Sequence, residues 1–327
     1  IYKKNKINEF NKIFNHNLEY LKNILKINVL NVQKSKFNLK QKQQLINILI
    51  NKYNISFNYL NIELNKNITN ITNFKPNSII IKNNKKALLI GINYIGTDNE
   101  LNGCINDVNC INARIINNGF KNVNIMTDIT DIKPTKTNIL NALKNLLINS
   151  QEGDLLFLLY SGHGSYTLDI NNNELTGYDQ VIIPCDLKFI LDDELKQIIQ
   201  TNLKKNVTLF AMFDSCFSGS VLDLKYQYLD SLNYDNYTEN NKELETLGNV
   251  FMISGCTDCQ TSADSVFNNK LNGAMTWALL ESLNQNSNFT WRELVKNMRQ
   301  NLKSLGYSQI PQFSTGKFEN IDLKVFI

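Results

Sequence analysis

A thiol and an imidazole are the minimum equipment for nucleophilic catalysis by cysteine, and this chain sets one of each at the end of an apolar run. The string LLFLLYSGHGS delivers His163, and TLFAMFDSCFSGS delivers Cys216. Only one other histidine occurs, His16, in a segment of quite different composition, so imidazole chemistry falls to His163. A cysteine reacts as thiolate, and a free thiol with a pKa of about 8.5 needs a positive neighbour to be largely ionised at neutral pH. His163 can supply that charge and then protonate a departing amine during acyl transfer. Gly162, Gly164 and Gly219 flank the two residues and let backbone approach a substrate closely. The amides of Gly164 and Cys216 are the candidate oxyanion donors, each worth on the order of 3 kcal/mol in comparable sites. Taken singly, each residue has a bland alternative, a structural loop histidine and a buried inert thiol. Their joint placement after two apolar strands argues against it.

Those strands belong to an alternating pattern that begins at Lys85. KKALLIGINY reads as a buried strand, CINDVNCINARIINNG as an amphipathic helix stopped by Gly119, and NVNIMTD as a second strand. Pro134 opens a helix that Thr135 or Thr137 can cap, followed by the strand DLLFLLYS, the helix DDELKQIIQTNL and the strand VTLFAMFD. After a polar insert at roughly Gln227–Thr246 come the strand NVFMISG, the helices GAMTWALLESLNQ and WRELVKNMRQNLKSLG, and a last strand in QIPQFST. Continuous apolar strands separated by helices mean an α/β fold, a mostly parallel sheet covered by helices on both faces. In such sheets ligands bind at the carboxyl ends of the strands, which is where His163 and Cys216 fall.

Residues 1–84 are different, rich in Asn, Lys and Ile, with hardly a glycine or proline before Pro76. Phe37–Tyr53 carries apolar residues at helical spacing (Leu39, Leu45, Ile46, Leu49, Ile50), and the stretch NKNITNITNFKPNS reads as a linker. The expected organisation is therefore an N-terminal extension over 1–84 and a catalytic domain over 85–327.

At 327 residues, 43% hydrophobic and 20% charged, the chain is long enough for a sizeable buried core. A net charge of +4 and three scattered arginines (Arg114, Arg292, Arg299) give no nucleic-acid footprint. No run of about 18 apolar residues marks a membrane span. Six cysteines at low density, one of them a working thiol, fit a reducing compartment, and a cytoplasmic location is expected. Cys256 and Cys259 form a C-x-x-C with no second pair or histidine partner, so core or loop thiols are the better reading than zinc.

YSGHG followed by DSC-x-SG resembles the metacaspases, caspase-like cysteine peptidases. KALLIGINYIG, LNGCINDV, DQVIIPCD, LDDEL, ISGCTDCQTSAD, GAMTWAL and the Pro-Gln near the end occur in family order, covering Lys85 to the C-terminus. The short spacing resembles type I members, and the Asn-rich bias a protozoan one. Phe217 departs from the histidine many relatives carry after the cysteine, which touches pocket shape rather than the base.

The resemblance implies a caspase-like sheet, a monomer, polypeptide substrates and cleavage after Arg or Lys. A cationic side chain needs a carboxylate to receive it. Asp214, two residues before the nucleophile, is placed for that, and Asp107, Ser161 and Cys104 match the family's pocket. Read alone, Asp107 could cap a helix and Asp214 could anchor a turn. An acidic specificity would need arginines in the motifs, and none is there. The resemblance also implies Ca2+ held by Asp179, Asp192, Asp193 and Asp223, although Asp192 by itself reads as a helix N-cap. The metal is expected to rearrange the loop near Cys216 rather than join the chemistry. Ser254 and Asp264 could line a groove, Trp277 reads as core, and Lys225 and Lys242 are expected as exposed sites for self-cleavage, with residues 1–84 restraining the enzyme as a zymogen. The main rival is a catalytically silent caspase-like scaffold in protein quality control. Others are an acid-specific peptidase and a glutaminase-type amidotransferase, whose Gly-rich nucleophile turn and downstream His-x-Glu are missing here.

Overall fold

The computed structural model describes residues 2–36, 38, 40–52, 54, 56, 84–168, 178–216, 218–219, 221–228, 238–240, 243–255, 264–267, 270–317 and 321–327. Phe217, Lys242, Cys256, Cys259 and the linker ahead of Ser78 lie outside them. The chain divides into two compact units, Ile1–Pro76 and Asn77–Ile327.

The first unit contains two helices, α1 (Tyr2–Lys34) and α2 (residues 40–52). Neither holds a glycine or proline, which removes the usual reasons for a helix to stop. Asn38 and Gln41 begin α2 by exchanging bonds: the Gln41 N–H reaches Asn38 Oδ1 at 3.0 Å, and the Asn38 N–H reaches Gln41 Oε1 at 3.1 Å. Leu21, Ile24 and Leu25 of α1 face Leu49 of α2 across a shared cavity. The expected helix within Phe37–Tyr53 is thus present, and the longer α1 precedes it.

The second unit is built on an eight-stranded sheet. Its strands in chain order are β1 (Lys85–Gly91), β2 (Asn122–Thr127), β3 (Leu155–Ser161), β7 (Thr208–Asp214), β8 (Tyr226–Gln227), β9 (Thr238–Glu239), β10 (Asn249–Ser254) and β13 (Gln312–Thr315). They lie side by side in the order β2-β1-β3-β7-β10-β13-β8-β9. The first five run parallel, and the remaining three are added antiparallel. A three-stranded antiparallel sheet joins β4 (Gly164–Leu168), β5 (Tyr178–Ile182) and β6 (Ile190–Leu191), and β11 (Asp264–Phe267) pairs with β12 (Lys270–Gly273).

The core strands are apolar throughout because both faces are covered. Alternation sorts their side chains between two clusters. Ala87, Leu89, Phe157, Phe210, Met212, Phe251 and Ile253 pack with helices α3 (Cys104–Asn117), α6 (Ala274–Gln285) and α7 (Trp291–Ser304). Leu88, Ile90, Leu156, Leu158, Tyr160, Leu209, Phe213 and Met252 pack with α4 (Lys136–Ile148) and α5 (Asp192–Asn202). Each such aliphatic or aromatic side chain contributes about 1.5–3 kcal/mol of burial. Fully buried Trp291 centres the first cluster, its ring 5.0 Å from Phe210 and 5.2 Å from Phe251. Trp277 is partly buried against the same cluster, as core. Helix ends follow local chemistry: Thr135, not Thr137, caps α4, and Gly119 after α3 takes φ +88°.

Candidate active site

Strand register brings the two reactive motifs together. β3 and β7 are parallel neighbours whose last pair is Ser161 opposite Asp214, and the Gly162 N–H continues the ladder to the Asp214 carbonyl at 3.4 Å. His163 and Cys216 each follow two residues beyond that final pair. The chains then remain in contact, since a Cβ on Gly164 would overlap the Cys216 carbonyl and lie 3.3 Å from Ser215 Cβ. Glycine at 164 is what allows this close approach.

His163 is half-buried, and its Nε2 lies 2.8 Å from the carbonyl oxygen of Asn99. A carbonyl can only accept, so this contact puts the proton on Nε2 and leaves Nδ1 as the basic nitrogen of the neutral ring. Asn99 comes from the loop after β1, which is tied by Leu101 N–H to the Asn93 carbonyl (2.8 Å) and by Asn93 N–H to Asp128 (2.6 Å). The Asn93 side chain in turn accepts from Ile105 N–H at 3.1 Å, in the first turn of α3. No sequence motif marks a main-chain acceptor, so Asn99 is a site residue that sequence reasoning missed.

Beneath the dyad, two buried carboxyls converge. Asp107 lies in the first turn of α3 without capping it. It accepts from Ser161 Oγ (2.7 Å), Asn272 Nδ2 (2.9 Å) and the Gly273 N–H (2.9 Å). Asp214 accepts from the Thr276 N–H at 2.9 Å and Thr276 Oγ1 at 2.8 Å, at the start of α6. A Cβ on Gly273 would press on both acids, so glycine at this position leaves room for the two carboxyls. Burial raises the Asp107 pKa well above the usual carboxylate range, the Asp214 charge adds to the rise, and the bonds from Asn272, Ser161 and Gly273 oppose it. Among the described residues, the hydrogen bonds to Asp107 come from neutral donors. Cys104 is buried at the start of α3, and Ser254, at the end of β10, is fully buried rather than open to a groove. The Asp264 side chain lies outside what is described.

A second acidic group forms between β5 and α5. Carboxylate oxygens of Asp179, Asp192 and Asp193 all lie within 4.8 Å of one another, the first two buried and the third half-buried. Asp192 is not the N-cap of α5 but its first residue, after Leu191. Its carboxylate accepts instead from the Gln180 N–H at 2.6 Å and the Asp193 N–H at 2.8 Å. Crowded hard oxygens of this kind suit a divalent cation such as Ca2+. Asp223 stands outside that group, 3.7 Å from Lys196 Nζ, which also bonds Glu243 at 2.6 Å. Burial pulls the Lys196 pKa down, but Glu243, Asp223 and Asp193 outweigh it and hold the ammonium charged. Lys225, expected to be exposed, is largely buried: its ammonium reaches the Glu243 carbonyl at 3.0 Å and lies 3.5 Å from Glu239. Among the described residues, no helix is long and apolar enough to cross a membrane.

The model of the metacaspase family, peptidase C14 domain, matches residues 85–225. Metacaspase-1 of Candida albicans is 39% identical over 289 residues, covering 70% of this chain and 64% of that protein. Metacaspase-1 of Schizosaccharomyces pombe is 35% identical over 296 residues, covering 74% of this chain and 69% of that protein. The chain thus spans just under two thirds of the Candida relative's length. These relatives are fungal, where the Asn bias had pointed to a protozoan member. Among solved structures, GSU0716 from Geobacter sulfurreducens shares the fold, with a TM-score of 0.57 and 24% identity over 74% of this chain and 98% of that one.

Proposed function

The chain belongs to the metacaspase family, and from that premise we propose that it is a cysteine endopeptidase that cleaves after Arg or Lys and is stimulated by Ca2+. The observation that carries the reading is the register of β3 and β7, whose last pair is Ser161 opposite Asp214; it supports a dyad of His163 and Cys216, each two residues further along its chain. In the first step Nδ1 of His163 takes the Cys216 thiol proton and the thiolate attacks the scissile carbonyl carbon. The oxyanion that forms is received by the amides of Gly164 and Cys216. Collapse breaks the C–N bond, His163 returns its proton to the leaving amine, and a thioester to Cys216 remains. Water, deprotonated by the same imidazole, hydrolyses that thioester and regenerates the thiol.

Asp214 and Asp107 receive the cationic side chain, with Ser161 and Cys104 shaping the pocket around them. Binding a guanidinium or ammonium there compensates two charges that are otherwise costly to hold together. Asp179, Asp192 and Asp193 would hold Ca2+, with Asp223 as the fourth ligand. When bound, the ion supplies charge neutralisation among carboxylates and takes no part in bond making. Recruiting Asp223 would draw it from Lys196 and move the segment that follows Cys216. Polypeptides are the substrates on this reading, the protein acts as a monomer in the cytoplasm, and residues 1–84 restrain it until processed.

A panel of fluorogenic peptides differing only at the residue before the bond tests the specificity. Arg and Lys peptides should be cleaved and the Asp peptide should not. Equal turnover of all three, or turnover of the Asp peptide alone, would overturn the pocket assignment.

A further inference from the structure

Tyr94 touches His163 in more ways than a packing residue needs to. Its ring centroid lies 4.6 Å from that of the imidazole, with the planes tilted by 38°. Its hydroxyl accepts the His163 N–H at 2.8 Å and donates to the Ile183 carbonyl at 2.6 Å. The His163 carbonyl is held separately, by the Tyr160 hydroxyl at 2.8 Å and the Ile183 N–H at 3.1 Å. Burial raises the pKa of both tyrosines, so their hydroxyls keep their protons as donors. Gly162 makes room for the pair: a Cβ there would lie 2.9 Å from the Tyr160 hydroxyl and 3.0 Å from that of Tyr94.

The backbone of Tyr94 matters as well. Its φ is +52°, in the left-handed region that bulky residues seldom occupy. Its carbonyl is bonded by the Thr97 N–H at 3.1 Å and by Thr97 Oγ1 at 2.8 Å. That turn leads directly to Asn99, whose carbonyl meets Nε2. One residue therefore braces the imidazole ring, anchors the main-chain nitrogen behind it and starts the turn that supplies its acceptor. Strained backbone that surrounding structure maintains is a recurrent mark of a functional constraint.

We propose that Tyr94 is the positioning residue of His163, holding the imidazole as the Nε2–H tautomer with Nδ1 as the base. The catalytic consequence rests on the Cys216–His163 reading; the tautomer lock does not.

The chain's two histidines make the test direct. Full-length protein with 15N-labelled imidazole is compared as wild type, Tyr94→Leu and Tyr94→Phe, with His16→Gln assigning the signals. The wild type should show a protonated Nε2 and a bare Nδ1 in the neutral ring. Tyr94→Leu should give averaged nitrogen shifts and a kcat at least about tenfold lower, with KM within about twofold. Tyr94→Phe keeps ring and volume but loses the hydroxyl bonds, and should lower kcat about threefold at unchanged KM. A locked tautomer in Tyr94→Leu, or an unchanged kcat with only a lower Tm, would overturn the proposal. If Tyr94→Leu does not fold, Tyr94→Phe decides, and an unchanged kcat there overturns it. A wild type without peptidase activity sinks the dyad reading instead, and the nitrogen shifts still judge Tyr94.

Discussion

The two acidic groups described in the second unit are built on opposite principles. Asp107 and Asp214 sit at the strand ends, almost wholly buried, with neutral donors on Asp107 and Gly273 leaving room for both carboxyls. Asp179, Asp192 and Asp193 gather between a strand and a helix start, while the neighbouring Lys196 engages Asp223 and Glu243. In the first pair, burial and the Asp214 charge drive the Asp107 carboxyl toward the protonated form. The second group has a lysine within reach of its field, which suits an ion that comes and goes. Under the proposed function, similar carboxylates would serve selection in one place and regulation in the other, and the difference would lie in what surrounds them.

The largest expected effect separates the two. Asp214→Asn should lower kcat/KM for an Arg peptide on the order of 10²–10³-fold, since a buried charge pair loses one member. Added calcium should not restore it in steady-state assays. Asp192→Asn should act the other way, raising the calcium needed for half-maximal activity about tenfold or more while leaving the rate at saturation nearly intact. Calorimetric titration of calcium would show the same weakening without any substrate. Lys196→Met should lower the half-saturating calcium about threefold, because a competing positive charge leaves the neighbourhood of Asp193 and Asp223.

The smallest effect concerns stability. The folded pKa of Asp107 lies above its unfolded value, so the stabilisation is complete below the unfolded carboxyl pKa and is lost as pH rises toward the folded one. Asn at this position is neutral at every pH. Asp107→Asn should therefore raise Tm at neutral pH by about 2–4 °C, the shift that roughly 1 kcal/mol produces in a domain of this size. The gain should vanish in acid, and cleavage after Arg should fall. A variant less stable than wild type at neutral pH would contradict the electrostatic account of this pair.

Much of this was legible in the residues, for identifiable reasons. The four central strands at Lys85, Leu155, Thr208 and Asn249 are continuous apolar runs, and the helices between them carry caps and glycine stops, so a parallel sheet with His163 and Cys216 at one edge followed from pattern alone. The pairing of β4 with β5 was not legible, because the partly exposed GSYTL and the largely buried YDQVI carry little apolar alternation. β8 and β9 are two residues each, too short for any periodicity, and they hide inside a polar insert. Asn99 and Tyr94 act through main chain and ring packing, which spacing does not encode. Asp192 and Lys225 show the converse error: a carboxylate before a helix and a lysine in a polar insert have common local readings, and tertiary partners override both.

The most direct test is hydrolysis of a Gly-Arg-Arg fluorogenic peptide by wild type and Cys216→Ala, each with and without millimolar calcium. The account predicts turnover that calcium stimulates in the wild type and that is lost in the variant under every condition. Turnover that survives Cys216→Ala, or its absence in a folded wild type even after removal of residues 1–84, would contradict it.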